Sequence, residues 1–319
     1  MTDLELNREL EKERKINFLK ENLVGIDKWL NDEKISEISL NQDGKIYLDI
    51  KGKGRIDSGE TLSKIDGENI IKLVAAFSGK QITEETPIIS ASLPDGSRFE
   101  GLMYQVTNFL PVFSIRKHTT EIIVLEEFVK SNFITQEQKE YIEQAIIDKK
   151  NILVVGGTSS GKTTFLNACL DKLKDTEDRI SVIEEVRELK CGAKNINYFT
   201  STETVSYRDI LRSNMRLNPD RIILGELRTG GETLELLKAW NSGHSGGLAT
   251  IHANSTLAGL KKVEQYIDEV TVKSQHYLIV EAVNIVVNII RDGTRRYVKE
   301  IAEVIAYDKE NDTYILNKK

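Results

Sequence analysis

The sequence runs to 319 residues, 29% of them charged, and 44 Lys and Arg against 50 Asp and Glu leave a formal net charge of −6. That length suits two domains, each with a sizeable core. The acidic balance argues against a protein whose main business is coating nucleic acid or an anionic membrane, so no direct nucleic-acid binding is expected.

The N-terminal stretch 1–15 is charged where an export signal needs an apolar centre, and no signal is expected there. Ile16, Leu19, Leu23, Ile26 and Leu30 then recur at helical spacing and predict an amphipathic helix over 16–30. Ile35–Leu40, the turn pair Asp43-Gly44 and the alternating Ile46, Leu48 and Ile50 predict a β-hairpin. Helical spacing returns over 62–77 through Ile65, Ile70, Leu73, Val74 and Phe77. A second turn, Pro94-Asp95-Gly96-Ser97, is flanked by short β-rich segments ending near Val112–Ile115. These elements predict a small α+β domain over 1–116. Residues 117–130 open on the patternless Lys117-His118-Thr119-Thr120 and are read as a linker, and 131–319 as a second domain.

Beyond the helical spacing of 134–147, strands alternate with helices: strand 151–155, helix 162–174, strand 180–184, helix 205–216, strand 221–225, helix 230–241 and strand 247–251. That alternation predicts an α/β fold with a mainly parallel sheet and helices on both faces. After 255 come further helix and then a closing antiparallel set, Ile285–Ile290, the turn Asp292-Gly293, Tyr297–Ile305 and Tyr314–Leu316. Apolar runs such as Ile152–Val155 fall far short of the ~18 residues of a membrane span, so any membrane association is expected to be peripheral. Cys169 and Cys191 have no metal-ligand spacing and point to a reducing compartment.

Within the alternation, Gly156-Gly157-Thr158-Ser159-Ser160-Gly161-Lys162-Thr163 fits the G-x-x-x-x-G-K-[ST] pattern in full, between a strand and a helix. Glycines let the backbone close around an anion, so that successive N–H groups and the helix N-terminus point at phosphates. Gly157, Thr158, Ser159, Ser160, Gly161, Lys162, Thr163 and Thr164 are therefore the candidate nucleotide-binding residues. Lys162 supplies charge for the β- and γ-phosphates, and Thr163 a hydroxyl for Mg²⁺.

Hydrolysis also needs a group that orients water. Glu226 follows the apolar strand Arg221–Leu224 and is the candidate for polarising the attacking water, because open α/β sheets place their ligands at the C-terminal ends of strands. Strand 180–184 ends similarly in Glu184-Glu185-Val186-Arg187-Glu188, a carboxylate of which is a candidate for a Mg²⁺-bound water. His252, after strand 247–251, stands where a histidine can sense the γ-phosphate.

Taken together, these motifs resemble the hexameric secretion ATPases shared by type II and type IV secretion systems and type IV pili, over about residues 30–310. The phosphate loop comes first in family order. Ile183–Leu189 is similar to the family's acidic box, although Glu185 stands where Asp is usual and Val186 where Thr or Pro is, which leaves Glu188 as the better match for the Mg²⁺-linked carboxylate. Leu217–Arg228 resembles the family's second nucleotide motif, with Gly225-Glu226 in place of the Asp of many other P-loop enzymes, and Gly243-His244-Ser245-Gly246 with Ala249–Asn254 resembles its histidine box. In the first domain, Leu93–Arg98 and Ser114-Ile115-Arg116 look like the segments from which family members direct two arginines at the γ-phosphate; on that resemblance alone Arg98 and Arg116 join Glu226, Glu188 and His252 as catalytic candidates.

The resemblance implies a RecA-like ATPase domain behind a small α+β domain, ATP and Mg²⁺ as ligands, and a cytoplasmic homo-hexamer that works peripherally at the inner membrane with secretion-machine proteins. Type II motors usually carry a four-cysteine zinc module, which two isolated cysteines cannot form. The layout looks most like the traffic ATPases of type IV secretion and conjugative transfer, with tight-adherence and type IV pilus motors close behind. A helicase-like ATPase stimulated by single-stranded DNA and a nucleotide-dependent scaffold are the remaining alternatives.

Overall fold

The computed structural model describes residues 10, 14, 16–18, 22, 23, 25–93, 95–117, 122–202 and 204–319. The chain divides into two units, Met1–Thr120 and Glu121–Lys319.

In the first unit, β1 (Ile35–Leu40), β2 (Lys45–Ile50), β3 (Gly54–Thr61), β4 (Ile88–Ser92), β5 (Arg98–Leu102) and β6 (Val112–Arg116) form one antiparallel sheet in the order β3-β2-β1-β6-β5-β4. The helix Lys64–Phe77 starts where the Ser63 side chain accepts from the Asp66 N–H, and its Ile70, Ile71 and Val74 join Phe99, Phe113 and Ile115 in a buried cluster. Of the helix predicted over 16–30, residues 16–18, 22 and Asp27–Leu30 are helical, Leu23, Ile26 and Leu30 are buried, and Leu19 lies outside the described residues. Strand β3 was not foreseen. Its one large apolar residue, Ile56, is exposed, so the sequence carries no alternation to reveal it.

The second unit is built on an eight-stranded sheet: β7 (Ile152–Gly156), β8 (Ile180–Glu184), β9 (Ile196–Thr200), β10 (Arg221–Leu224), β11 (Leu248–Ile251), β12 (Ile285–Asp292), β13 (Arg295–Asp308) and β14 (Thr313–Lys318). The order is β14-β13-β12-β7-β11-β10-β8-β9. From β12 to β9 every pairing is parallel, and β13 and β14 extend the sheet antiparallel. β7, β8, β10 and β11 are buried at every position, the near-continuous apolar pattern of strands covered on both faces.

Because side chains alternate across a strand, Ile152 and Val154 enter one core with Phe165, Leu166 and Leu170, while Leu153 and Val155 enter the other with Leu236, Leu237, Leu260 and Val263. Each such fully buried side chain contributes about 1.5–3 kcal/mol. The helix Leu125–Lys130 lies inside the stretch read as a linker. Its Phe128 packs on Phe133 and Phe165, with ring centroids 4.4 and 6.1 Å away, so the core of this unit begins earlier than 131. The parallel pairing has one consequence for chemistry: the C-terminal ends of β7, β8, β10 and β11 share one sheet edge. Among the described residues no helix is long and apolar enough to cross a membrane.

Candidate functional site

At the centre of that edge β7 ends in Gly156. A Cβ there would lie 2.4 Å from the Ile289 carbonyl oxygen and 2.6 Å from Ser160 Oγ, so only glycine fits between the neighbouring strand and the loop. Ser159 (φ 57°) and Gly161 (φ 101°) adopt left-handed backbone, which turns the loop back on itself before it enters the helix Lys162–Asp171. The first N–H groups of a helix have no partner within it and carry the positive end of the dipole. Here they belong to Lys162, Thr163 and Thr164.

Lys162 is 8% exposed and its Nζ donates to the Gly156 and Gly157 carbonyl oxygens, each at 3.0 Å. Ser160 Oγ is buried and has no hydrogen-bond partner among the described residues. A cramped glycine, two left-handed turns, a buried ammonium and an unused hydroxyl together fit a polyphosphate. Among the described residues no group of three or more His, Cys, Asp or Glu is arranged to hold a metal. A Mg²⁺ held by one hydroxyl, phosphate oxygens and waters requires no such group.

From Lys162 a chain of polar contacts crosses the ends of β7, β11 and β10. Lys162 Nζ lies 3.2 Å from His252 Nδ1, and His252 Nε2 lies 2.6 Å from Glu226 Oε1. An ammonium can only donate, so His252 Nδ1 accepts and its proton sits on Nε2, facing the carboxylate. Burial, and then the Lys162 charge, lower the His252 pKa below its usual value, in keeping with this neutral tautomer. The other Glu226 oxygen, Oε2, accepts from Arg228 Nη2 at 2.8 Å and Nε at 3.0 Å, and Arg228 Nη1 also bonds Glu185.

Glu226 is fixed from both sides of its strand. Gly225 N–H donates to the Ile183 carbonyl at 2.9 Å, Thr250 Oγ1 donates to the Gly225 carbonyl at 2.7 Å, and Leu227 N–H donates to the Thr250 carbonyl at 2.8 Å. Buried Glu232 then accepts from the Arg228 and Thr229 N–H groups, starting the helix Gly230–Trp240 and closing the turn.

At the end of β8, Glu184 is buried and its Oε1 accepts from the Glu188 N–H at 3.0 Å and the Leu189 N–H at 2.8 Å. Burial pushes this carboxyl up to about 7 in spite of those two bonds. Glu188 is half-buried on the following loop. Its carbonyl accepts from Asn167 Nδ2 at 3.2 Å, and Lys190 N–H donates to Asn167 Oδ1 at 2.8 Å, which ties the loop to the phosphate-loop helix. Arg98 and Arg116 lie in the first unit, directly opposite one another on β5 and β6.

Two residues that sequence reasoning passed over belong to this edge. Arg228 bridges Glu226 and Glu185, although its spacing two residues after Glu226 gave no sign of which carboxylate it meets. Arg296, on β13, donates through Nε to the Ser159 carbonyl at 2.8 Å, and a sequence separation of 137 residues hid that contact.

A family model described as Type II/IV secretion system protein matches residues 20–311. The chain belongs to that family. Among curated members of this family, it is 40% identical over 278 residues to the probable conjugal transfer protein TrbB of Sinorhizobium fredii (strain NBRC 101917 / NGR234), covering 86% of this chain and 85% of that protein. It is 33% identical over 272 residues to the type IV secretion system protein PtlH of Bordetella pertussis, covering 76% and 79%. Such relatives put this secretion system protein with the conjugal-transfer and type IV secretion branch, as the resemblance implied, and do not favour the pilus or helicase alternatives. Solved structures share the fold: the Legionella pneumophila ATPase DotB has a TM-score of 0.63 at 17% identity, covering 93% of this chain and 82% of that one. The pilus retraction motor PilT with bound ADP has a TM-score of 0.59 at 18% identity, covering 92% and 80%.

Proposed function

We propose that this secretion system protein is an ATP-hydrolysing motor of a conjugative type IV secretion apparatus. The observation that carries this reading is the contact chain from Lys162 through His252 to Glu226, at the sheet edge where the phosphate loop closes. In the proposed cycle, backbone N–H groups of 157–164 bind the β- and γ-phosphates. Lys162 exchanges its carbonyl partners for phosphate oxygens.

Glu226 then accepts a hydrogen bond from the attacking water, one of its oxygens being given up by His252 or Arg228. His252, neutral and next to Lys162, feels the arrival and loss of the γ-phosphate and passes the change to Glu226. Mg²⁺ would neutralise phosphate charge, with the Thr163 hydroxyl as its direct protein ligand and Glu188 acting through water. Arg98 and Arg116 are proposed to balance charge developing on the γ-phosphate. Homo-hexamer assembly, docking on inner-membrane secretion proteins and a cytoplasmic, peripheral location complete the proposal; TrbB and PtlH, described as conjugal-transfer and type IV secretion proteins, support it.

Phosphate release with and without Mg²⁺ tests the reading. Turnover that requires Mg²⁺ and is lost in Lys162→Ala, with its fold intact by circular dichroism, is the expected result. Unchanged turnover in that variant would refute the site.

A further inference from the structure

The hairpin between β12 and β13 ends beside the phosphate loop. β12 pairs with β7, and the residue opposite Gly156 is Ile289, where the β12–β13 register shifts between Asn288 and Ile289. A bulge at that point re-aims the strand end. It brings Arg296, opposite Arg291 in the hairpin, over the loop, where its Nε donates to the Ser159 carbonyl at 2.8 Å. The Arg296 stem also lies along the loop: a Cβ on Gly161 would be 3.7 Å from Arg296 Cδ and 3.5 Å from Phe133 Cε2. One residue further on from Tyr297, the Val298 N–H donates to the Phe133 carbonyl at 2.8 Å, so the whole start of β13 is anchored to the same wall.

Ser159 holds a left-handed φ of 57°, which a non-glycine residue adopts only when its surroundings hold it there. A trans peptide puts its C=O and N–H on opposite sides. In the peptide whose oxygen Arg296 holds, the Ser160 N–H therefore faces the other way, where it donates to the Gly157 carbonyl at 3.4 Å, so the Arg296 contact and this turn bond together fix that peptide's orientation in the loop.

We propose that Arg296 is a positioning residue for nucleotide: through the Ser159 carbonyl it holds the phosphate loop in its binding form before nucleotide arrives. This role rests on the nucleotide site proposed above. It acts on the free protein, so it governs affinity rather than the chemical step. Losing a hydrogen bond to a charged group while the glycine turns remain weakens ADP binding by roughly tenfold. Turnover at saturating ATP stays within about threefold.

The test measures ADP affinity by calorimetry, ATP turnover, and amide hydrogen exchange of 157–163 in the nucleotide-free protein, for wild type, Arg296→Ala, Arg296→Lys and Arg295→Ala. Arg295 sits in the same hairpin with its guanidinium 4.9 Å over the Tyr297 ring, so Arg295→Ala removes equal charge. Expected are a weaker Kd and faster loop exchange in Arg296→Ala, partial recovery in Arg296→Lys, and wild-type behaviour in Arg295→Ala. Arg296→Gln replaces Arg296→Ala should the latter not fold. ADP affinity within twofold of wild type, unchanged exchange at 157–163, or an equal loss in Arg295→Ala overturns the role of Arg296 alone. A wild type that takes up no ADP overturns the nucleotide site and this role with it.

Discussion

Replacing Glu184 by Gln should stabilise the protein at alkaline pH and leave it nearly unchanged in acid. Glu184 closes β8, buried beneath the Gly225 turn, with a carboxyl held at about 7 against an ordinary value of 4.5. Burial, which disfavours the charged form, is the main cause, and nearby Glu188 adds to it. A folded pKa raised above the unfolded one gives a contribution that is complete below the unfolded value and lost as pH rises through the folded one. Between pH 4.5 and 8 the shift from 4.5 to about 7 is equivalent to about 3 kcal/mol, at 1.36 kcal/mol per pKa unit.

A glutamine does not titrate, and its carbonyl oxygen can still accept from the Glu188 and Leu189 N–H groups. The stability gap between Glu184→Gln and wild type should therefore widen by about 3 kcal/mol from pH 5 to pH 8.5. For a unit of this size that corresponds to a Tm difference of roughly 6–12 °C. Thermal unfolding of both proteins across that range reads the slope, and any fixed cost of the amide cancels. Parallel Tm curves, or a gap that closes as pH rises, would refute the account of a carboxyl held neutral by burial.

Glu226→Gln should slow turnover by roughly 10²–10⁴ while ADP still binds, as expected for removal of a water-orienting base; near-normal phosphate release would move that task to Glu188. Gly156→Ala, which drives a Cβ to 2.4 Å from the Ile289 oxygen, should cost about 1–3 kcal/mol in urea unfolding and abolish nucleotide uptake, and wild-type stability would contradict the packing described at the end of β7. Since burial and Lys162 depress the His252 pKa, the acid limb of turnover assigned to that imidazole should fall below pH 6.5, and His252→Gln should remove it; an acid limb above pH 6.5 would argue against a neutral His252. Arg98→Ala and Arg116→Ala should each lower kcat by roughly 10²–10³ with ADP affinity retained, and an effect on affinity alone would give them a different task.

Much of the second unit was legible because its physics is local in sequence. Four apolar runs, each followed by turn residues and a helical repeat, set the strands, and parallel pairing then brought Gly156, Glu226 and His252 to one edge. The glycine-rich loop was readable for the same reason, since its chemistry needs contiguous residues. What stayed hidden depended on partners remote in the chain. Arg228 could have met any of several acidic residues, and only the packing of β8 against β10 selects Glu185 and Glu226.

Short or solvent-facing elements were also missed. β9, Ile196–Thr200, lies at the edge of the sheet and is only partly buried, so its pattern carries little contrast. The helix Leu125–Lys130 spans six residues, too few to establish a period, and its reason for being is the Phe128–Phe165 contact rather than its own sequence.

The central claim is that the 156–163 loop holds a nucleoside triphosphate within reach of Glu226. A structure with a nonhydrolysable ATP analogue and Mg²⁺ tests it most directly. The account predicts phosphates inside the loop, Lys162 Nζ moved from the Gly156 and Gly157 carbonyls onto phosphate oxygens, and the γ-phosphate beside His252 and Glu226. Nucleotide bound elsewhere, or Lys162 still on its two carbonyls with the loop filled, would contradict it.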